Sequence, residues 1–570
     1  MRDGDKSRAS KIFWQIICRE GHAVEARERV IVAGVIVSFV ALCLASICIL
    51  PPFEGFDETA HYSYITTLTD RHTNPDFRQT LLDLTVEREA QSLPRPYRSI
   101  RPFENNGGWT YATFFGSVSA AERRQIISRF WQPPGRAVEY ETGSLSNWQG
   151  QHPPLYYAIM APAYHVSRSW SGGARLFFLR LVSVLLASAS LVFWWKSVRT
   201  VESPMARQAV LLSGVVVLFL PSCWYDLARI GNDSLVAVCL SAVIFFLLRT
   251  HRSHQQSLGD FVGLAVALGC GLLTKSFFVP ISVGVVVFIT WHGVGPCCLS
   301  WRAVLLRWTI LAGIAGLMAG PWFLQCWFRY GMLVPSSEAF SLNTLAVMPG
   351  DSLSFMERCL AMCRSCLAFG ATFLWSGGWS WIKRPLWQYG MMFPFLILGL
   401  SNLWRKERWG CPELNHLTLA TICMLIPLMA SFLWYMHLRV RWTGIGSGVG
   451  GYYLFSCWPL VGLALWQTLD LPVSRTGKAA LMASLVLAIA FEISGIWFSC
   501  QIYAGIVQKL GSVSAGVGGR LPTPENLRLV FSRLQEFVLP GWALMFYIVS
   551  LVARAITITA IFNRRCRAVD

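Results

Sequence analysis

Residues 30–50, VIVAGVIVSFVALCLASICIL, form a run of twenty-one residues without a charge, between Arg29 and the pair Pro51 and Pro52. As a helix, such a run crosses the roughly 30 Å hydrocarbon layer of a bilayer. The tail before it carries Arg2, Lys6, Arg8, Lys11, Arg19, Arg27 and Arg29. That lead is longer than a secretory signal has, and no small-residue cleavage site follows. The run therefore reads as an uncleaved membrane helix with its N-terminus on the cytoplasmic side, where basic flanks concentrate.

The rest of the chain repeats the pattern. Of its 570 residues, 54% are hydrophobic and 14% charged, and the mean hydropathy is +0.45. A soluble domain carries roughly 25% charged residues. Disordered, fibrous and disulfide-scaffold classes are excluded on the same grounds. The net charge of +18 is explained by basic cytoplasmic loops without invoking nucleic acid. Cys359, Cys363 and Cys366 share one face of a helix and read as packing residues, since no further ligand completes a metal set.

Further spans are expected at about 176–196, 207–225, 233–249, 259–275, 277–293, 303–323, 386–403, 415–437, 451–469, 478–499 and 539–562, making about twelve. Basic residues then recur in every second loop: Lys196 to Arg207, Arg249 and Arg252, Arg302, Arg405 to Arg408, Arg475 and Lys478, and the tail Arg564 to Arg567. This alternation predicts a multi-pass protein of the cell (inner or plasma) membrane with both termini cytoplasmic. The organisation is a cytoplasmic tail 1–29, a first span 30–50, an outer loop 51–175, helices two to seven in 176–323, an outer loop 324–385, helices eight to eleven in 386–499, an outer loop 500–538, and a last helix with a basic tail in 539–570. Residues 153–166, PPLYYAIMAPAYHV, are too short and too Pro-broken to span. They read as an interfacial helix. Ser119 and Glu122 have capping-box spacing and open another, with Ile126, Ile127, Phe130 and Trp131 on its apolar side. The fold class expected is all-α integral membrane.

The loop 51–152 holds 12 Asp and Glu and 10 Arg but no Lys. Its sharpest feature is Phe53-Glu54-Gly55-Phe56-Asp57-Glu58-Thr59-Ala60-His61. Charges beside hydrocarbon are costly unless paired or hydrated, so Asp57 and Glu58 are candidates for chemistry. Asp57 and His61 share a face of a helix beginning there. The plainer alternative is helix capping by Asp57, with Glu58 favoured by the helix dipole. His152 precedes the interfacial helix. Arg229, Asn232 and Asp233 crowd a short outer turn, where Asn232 and Asp233 have a capping alternative. Lys275 ends span five, and a snorkelling role is its alternative. Arg439 and Arg441 form a basic pair on the outer side, against the positive-inside trend. Glu492 and Arg554, inside spans, carry no motif and read as structural. Carboxylates and cations on one face suit transfer from a lipid phosphate: cations or a metal stabilise the leaving group, and a carboxylate deprotonates the acceptor.

The order of these features resembles the GT-C superfamily of integral-membrane glycosyltransferases, including uncharacterised bacterial members and the aminoarabinose and mannosyl transferase group. The resemblance rests on Asp57-Glu58 after the first span, Pro153-Pro154-Leu155-Tyr156-Tyr157, and Leu227-Ala228-Arg229 with Asn232-Asp233. Trp322 with Tyr330-Gly331, and Gly451-Tyr452-Tyr453-Leu454-Phe455-Ser456, resemble later landmarks. Relatives often carry Arg where this chain has Tyr452, a departure that bears on phosphate binding there. The resemblance covers most of residues 30–470. It implies a helical bundle with interfacial helices on the outer face. It also implies inverting transfer of a sugar from a polyprenyl phosphate to a lipid, glycan or protein acceptor, among membrane lipids. Asp57 and Glu58 are then the catalytic carboxylates, or ligands of a divalent metal ion, the one cofactor suggested. His61, His152, Arg229, Asn232, Asp233, Lys275, Arg439, Arg441 and Tyr452 are the substrate- and phosphate-binding candidates. The alternatives are a lipid or solute transporter, which predicts ionisable groups at mid-membrane depth, and a non-catalytic envelope-assembly protein.

Overall fold

The computed structural model describes residues 4–96, 108–252, 257–296, 299–336, 340, 348–375, 384, 386–403, 411–446, 449–469, 475–507 and 521–562. The basic 405–408 loop and the C-terminal basic tail lie outside the described residues. The described residues are mostly helical, as expected. α1 (Gly4–Ile49) contains the first span. The long loop that follows folds into α2 (Glu58–Arg71), α3 (Leu84–Ser92), α4 (Tyr111–Ser117), α5 (Ala120–Trp131) and α6 (Leu155–Ser167). The bundle continues with α7 (Gly172–Thr200), α8 (Pro204–Val217), α9 (Cys223–Ala228), α10 (Asp233–Arg252), α11 (Leu258–Leu272), α12 (Phe278–Val294) and α13 (Trp301–Tyr330). Then come α14 (Phe355–Leu374), α15 (Leu386–Tyr389), α16 (Phe393–Leu403), α17 (Pro412–Thr443), α18 (Trp458–Leu465), α19 (Arg475–Tyr503), α20 (Pro524–Leu534) and α21 (Pro540–Phe562).

Among the described residues, seven helices are long and apolar enough to cross a bilayer, and α8, α11 and α12 are shorter apolar helices. Every expected span falls on helix, but three of them break, the first being 207–225, which divides into α8 and α9 at residues 218–222. Residues 386–403 divide at a 3-10 turn, Gly390–Met392, and 451–469 becomes 3-10, α and 3-10 segments. Gly390, Pro394, Gly451 and Pro459 supply the last two breaks, because glycine and proline both interrupt the helical ladder. Small residues let helices approach closely, as membrane packing favours. A Cβ at Gly34 of α1 would collide with Thr557 of α21, and one at Gly284 of α12 would collide with the α17 backbone at Cys423.

The loop 51–175 carries a feature that the helical reading omitted. Leu81–Asp83 (β1) pairs antiparallel with Thr142–Ser146 (β2). Ser119 caps α5 by accepting from the Glu122 amide at 3.2 Å, and Ile127 and Phe130 are buried. Trp131, assigned to the same apolar side, is exposed instead. Cys363 and Cys366 are likewise exposed on α14 rather than packed.

Two buried ion pairs stand out inside the helical body. Arg554 of α21 meets Glu492 of α19 at 2.8 Å and also donates to the Leu218 carbonyl at 3.0 Å. Tyr547 donates to the same Glu492 oxygen at 3.0 Å. The pair that matters most for the loop is Glu58 with Arg180 of α7. Both are buried, and the guanidinium grips both carboxylate oxygens, at 2.8 Å and 2.6 Å. Arg180 also donates to the Leu50 and Pro51 carbonyls, at 2.6 Å and 2.8 Å. The Ile230 amide donates to Glu58 Oε1 at 3.1 Å. One carboxylate thus joins the end of α1, the start of α2, α7 and the turn before α10. Removing one partner of such a pair strands the other charge, a cost of about 3–5 kcal/mol. Glu58→Ala and Arg180→Ala should each lower the unfolding temperature in detergent markedly, and the double variant should be less impaired than the two losses summed. Strict additivity would show that the pair is not the clamp described.

Candidate active site

The clamp fixes what comes before it. Asp57 stands at the N-cap of α2 with φ 56°, a left-handed conformation, and makes no capping bond. Aspartate tolerates this region better than most residues. Its Oδ1 instead accepts from the Trp148 indole at 2.7 Å, from the 3-10 turn Trp148–Gln151. The capping alternative is therefore displaced by a contact reaching across the loop. Gly55 allows the turn to close: a Cβ there would lie 2.8 Å from the Cβ of Arg229 and 2.9 Å from the Glu58 carboxyl carbon.

Asp57 opens onto a cavity of about 810 Å³. Its polar lining includes Asp57, His61, His152, Arg229 and Lys275, with Gln149, Gln151 and Arg439. Its aromatic lining includes Phe277, Trp322, Phe323, Phe432 and Tyr435, with Trp148 and Tyr452.

Four charges form an alternating chain beside the cavity. Arg229 meets Asp226 at 3.3 Å and Asp233 at 2.5 Å, and Lys275 meets the other Asp233 oxygen at 2.5 Å. All four groups are buried. Lys275 also lies 4.7 Å from the Phe277 ring centre and 5.4 Å from that of Tyr453, both useful cation–π distances. The formal charges cancel, yet the Arg229 Nη1 group has no hydrogen-bond partner among the described residues. It sits against Gly231, where a Cβ would collide with it. Asn232 does not reach the cavity: it is fully buried and donates to the Thr274 carbonyl at 3.0 Å, which braces the turn.

The expected residues thus separate. Asp57, His61, His152, Arg229, Lys275, Arg439 and Tyr452 line one cavity, with Asp233 directly behind it. Glu58 does not join Asp57, because Arg180 and the Ile230 amide hold its carboxylate. Arg441 is not among the lining residues either; it pairs with Asp351 at 2.9 Å and 3.1 Å. Trp148, Tyr157, Asp226 and Arg180 are positioned here without having been singled out from the sequence. An arginine inside a predicted span is itself a signal, and Arg180 carried it. As for a metal, Asp57 and Glu58 do not converge, and no group of three His, Cys, Asp or Glu side chains suited to an ion occurs among the described residues. The carboxylates present do not fit the suggested divalent ion.

Burial raises the Asp57 carboxyl to about 6, against the opposing pull of the Trp148 hydrogen bond and of Arg229 and Lys275. Burial likewise pushes the imidazoles down, His61 well below its ordinary value and His152 to about 3, with the nearby cations adding to both. The site therefore combines a carboxyl raised to about 6, two imidazoles whose protonation is disfavoured, the side chains of Arg229 and Lys275, and an aromatic lining.

Residues 151–322, which hold the Pro-Pro-Leu-Tyr-Tyr segment, the Arg229 turn and Lys275, match the family described as dolichyl-phosphate-mannose-protein mannosyltransferase. That match spans under a third of the chain, and with it the chain is similar to the GT-C glycosyltransferases. No curated protein matches. Among solved structures, ArnT from Cupriavidus metallidurans in the apo state is 15% identical, with 77% of this chain and 69% of that one covered and a TM-score of 0.35. The same protein bound to undecaprenyl phosphate is 14% identical, covering 78% and 72%, with a TM-score of 0.35. The Archaeoglobus fulgidus oligosaccharyltransferase in the apo form is 11% identical, covering 88% and 59%, with a TM-score of 0.37. Likenesses this distant transfer no residue roles.

The geometry makes a direct spectroscopic prediction. A carboxyl resonance titrating near pH 6 should be visible by carbon NMR of aspartate-labelled protein and should vanish in Asp57→Asn. Trp148→Phe removes a donor that favours the charged form, so the midpoint should rise. A midpoint unchanged or lowered in Trp148→Phe would contradict the bond.

Proposed function

We propose that this protein is an inverting glycosyltransferase of the cell membrane, acting on the outer face with both termini cytoplasmic. It moves a sugar from a polyprenyl phosphate to a hydroxyl of a lipid, glycan or protein acceptor. The observation that supports this reading is one cavity whose lining joins Asp57, Arg229 and Lys275 with the aromatic side chains Phe277, Trp322, Phe323, Phe432 and Tyr435. The aromatic lining suits an isoprenoid chain, and the cations suit its phosphate.

In the proposed reaction the acceptor hydroxyl oxygen attacks the anomeric carbon from the side opposite the phosphate. Its proton passes to the free Oδ2 of Asp57. The bond from the anomeric carbon to the phosphate oxygen breaks, and the phosphate leaves with the electron pair. The phosphate gains a negative charge in this step. Arg229 and Lys275 both line the cavity, and fixed cations accelerate a reaction most where charge develops. Asp233 holds both cations and spares the site any reorganisation. Glu58 acts as a scaffold rather than as a second base. No step requires the divalent ion that the resemblance suggested.

Asp57→Asn should fold and insert normally yet lose roughly 10²–10⁴ in transfer, the usual contribution of a positioned base. Near-normal transfer from a lipid-phosphate sugar by this variant would overturn the assignment. A base raised to about 6 is charged above that pH, so kcat/KM should fall as pH drops through about 6 and level off above it. A flat profile from pH 5 to 7 would contradict it. Lys275→Met leaves Asp233 paired with Arg229 and should raise KM for the donor by roughly 10–100-fold, the worth of a charge-assisted bond. Movement of lipid across vesicles by a protein that transfers no sugar would favour the transporter instead.

A further inference from the structure

The mechanism above leaves one built feature unused. His61 of α2 and Tyr157 of α6 are both buried, and His61 Nδ1 lies 2.8 Å from the Tyr157 hydroxyl. The His61 ring is stacked on His152, centroids 5.9 Å apart and planes 11° apart. The His61 ring is also stacked on Tyr157, centroids 5.8 Å apart, and Tyr157 is itself stacked on Tyr64 at 3.6 Å. Tyr64 in turn donates to the His152 carbonyl at 3.1 Å. The four rings brace one another, and His61 and His152 among them line the cavity.

This bracing fixes a proton. The Tyr157 hydroxyl has one hydrogen and, among the described residues, one hydrogen-bond partner, His61 Nδ1. Were Nδ1 to donate, the Tyr157 hydrogen would be buried without an acceptor, which is costly. The satisfied arrangement has Tyr157 donating and Nδ1 accepting. The imidazole proton then resides on Nε2. That nitrogen has no hydrogen-bond partner among the described residues and is not a buried orphan, so it reaches the cavity that His61 lines. Arg229 and Lys275 oppose a positive charge on the ring, and burial opposes it further.

We infer that His61, held in its Nε2–H form by Tyr157, is the residue that reads a hydroxyl oxygen of the transferred sugar, with Tyr157 as its positioning residue. An uncharged N–H donor matches an uncharged oxygen; the phosphate already has two cations. The inference rests on the proposed transferase reading for the nature of the ligand, but its test does not need turnover.

Nitrogen NMR of histidine-labelled protein in nanodiscs, with His61 assigned by its loss in His61→Asn, should show a neutral Nε2–H ring at pH 7. In Tyr157→Phe the tautomers should mix. Binding is then measured with two probes, farnesyl phosphate and farnesyl phosphate esterified to glucose. Tyr157→Phe and His61→Asn should weaken the glucose-bearing lipid about tenfold and leave farnesyl phosphate unchanged, since a neutral hydrogen bond is lost in one case and none in the other. His61→Gln, whose amide places an N–H near the Nε2 position, should recover most of the loss. A protonated or Nδ1–H ring overturns the inference. So does an equal loss for both probes, which would mean that His61 reads phosphate or only supports the fold. A selective loss in a protein that proves unable to transfer sugar would uphold the inference and defeat the transferase reading.

Discussion

A carboxylate buried at a membrane boundary has few stable arrangements, and Glu58 has found a demanding one. Its two oxygens take three donors, two from Arg180 and one from the Ile230 amide. Arg180 spends its remaining donor capacity on the last carbonyls before the loop, at Leu50 and Pro51. Ends of helices leave carbonyls that need partners, and here one guanidinium satisfies them and the acid together. With the chain pinned at Pro51 and Glu58, the residues between have little freedom. Phe53 and Asp57 both adopt positive φ, uncommon for residues other than glycine. Such conformations persist where the surroundings over-determine them. The result is that the acid beside the clamp points away from it, into the cavity.

The second constraint is electrostatic economy in a poorly solvated place. Two acids and two bases alternate from Asp226 to Lys275, so the protein does not hold a naked positive patch next to lipid. A buried pair of this kind is weak evidence for stability. Its value here is to hold Arg229 and Lys275 in place beside the cavity they line.

Much of this was legible in the sequence, and the reason is physical. Hydrocarbon demands long apolar helices, so the spans are written in composition, and all twelve predicted segments carry helix. Glycine and proline decided where two of the three broken segments divide. Polar residues at the ends of spans stand out against that background, which is why Asp57, His152, Arg229 and Lys275 could be named. Orientation could not be read. Asp57 and Glu58 are neighbours in sequence and diverge in space because a left-handed residue separates their directions. Arg441 looked like a binding residue until Asp351, far away in the chain, claimed it. Trp148 and Tyr157 lie in segments whose long-range partners no local pattern encodes. The two-stranded ribbon in the first loop is too short to leave a periodic trace.

The clamp also sets an order of events during synthesis. Arg180 lies 122 positions after Glu58, and Ile230 lies 172 after it. At ribosomal speeds of about 5–20 residues per second, the acid exists for roughly 6–24 s before its partner is made. During that interval it stays hydrated, so the loop that follows α1 cannot settle against the bilayer. Only when α7 is inserted does the loop acquire its anchor, and the 229–231 turn closes later still. The cavity is therefore among the last parts of the molecule to form, and a chain interrupted before α10 presents an unanchored loop rather than a half-built active site.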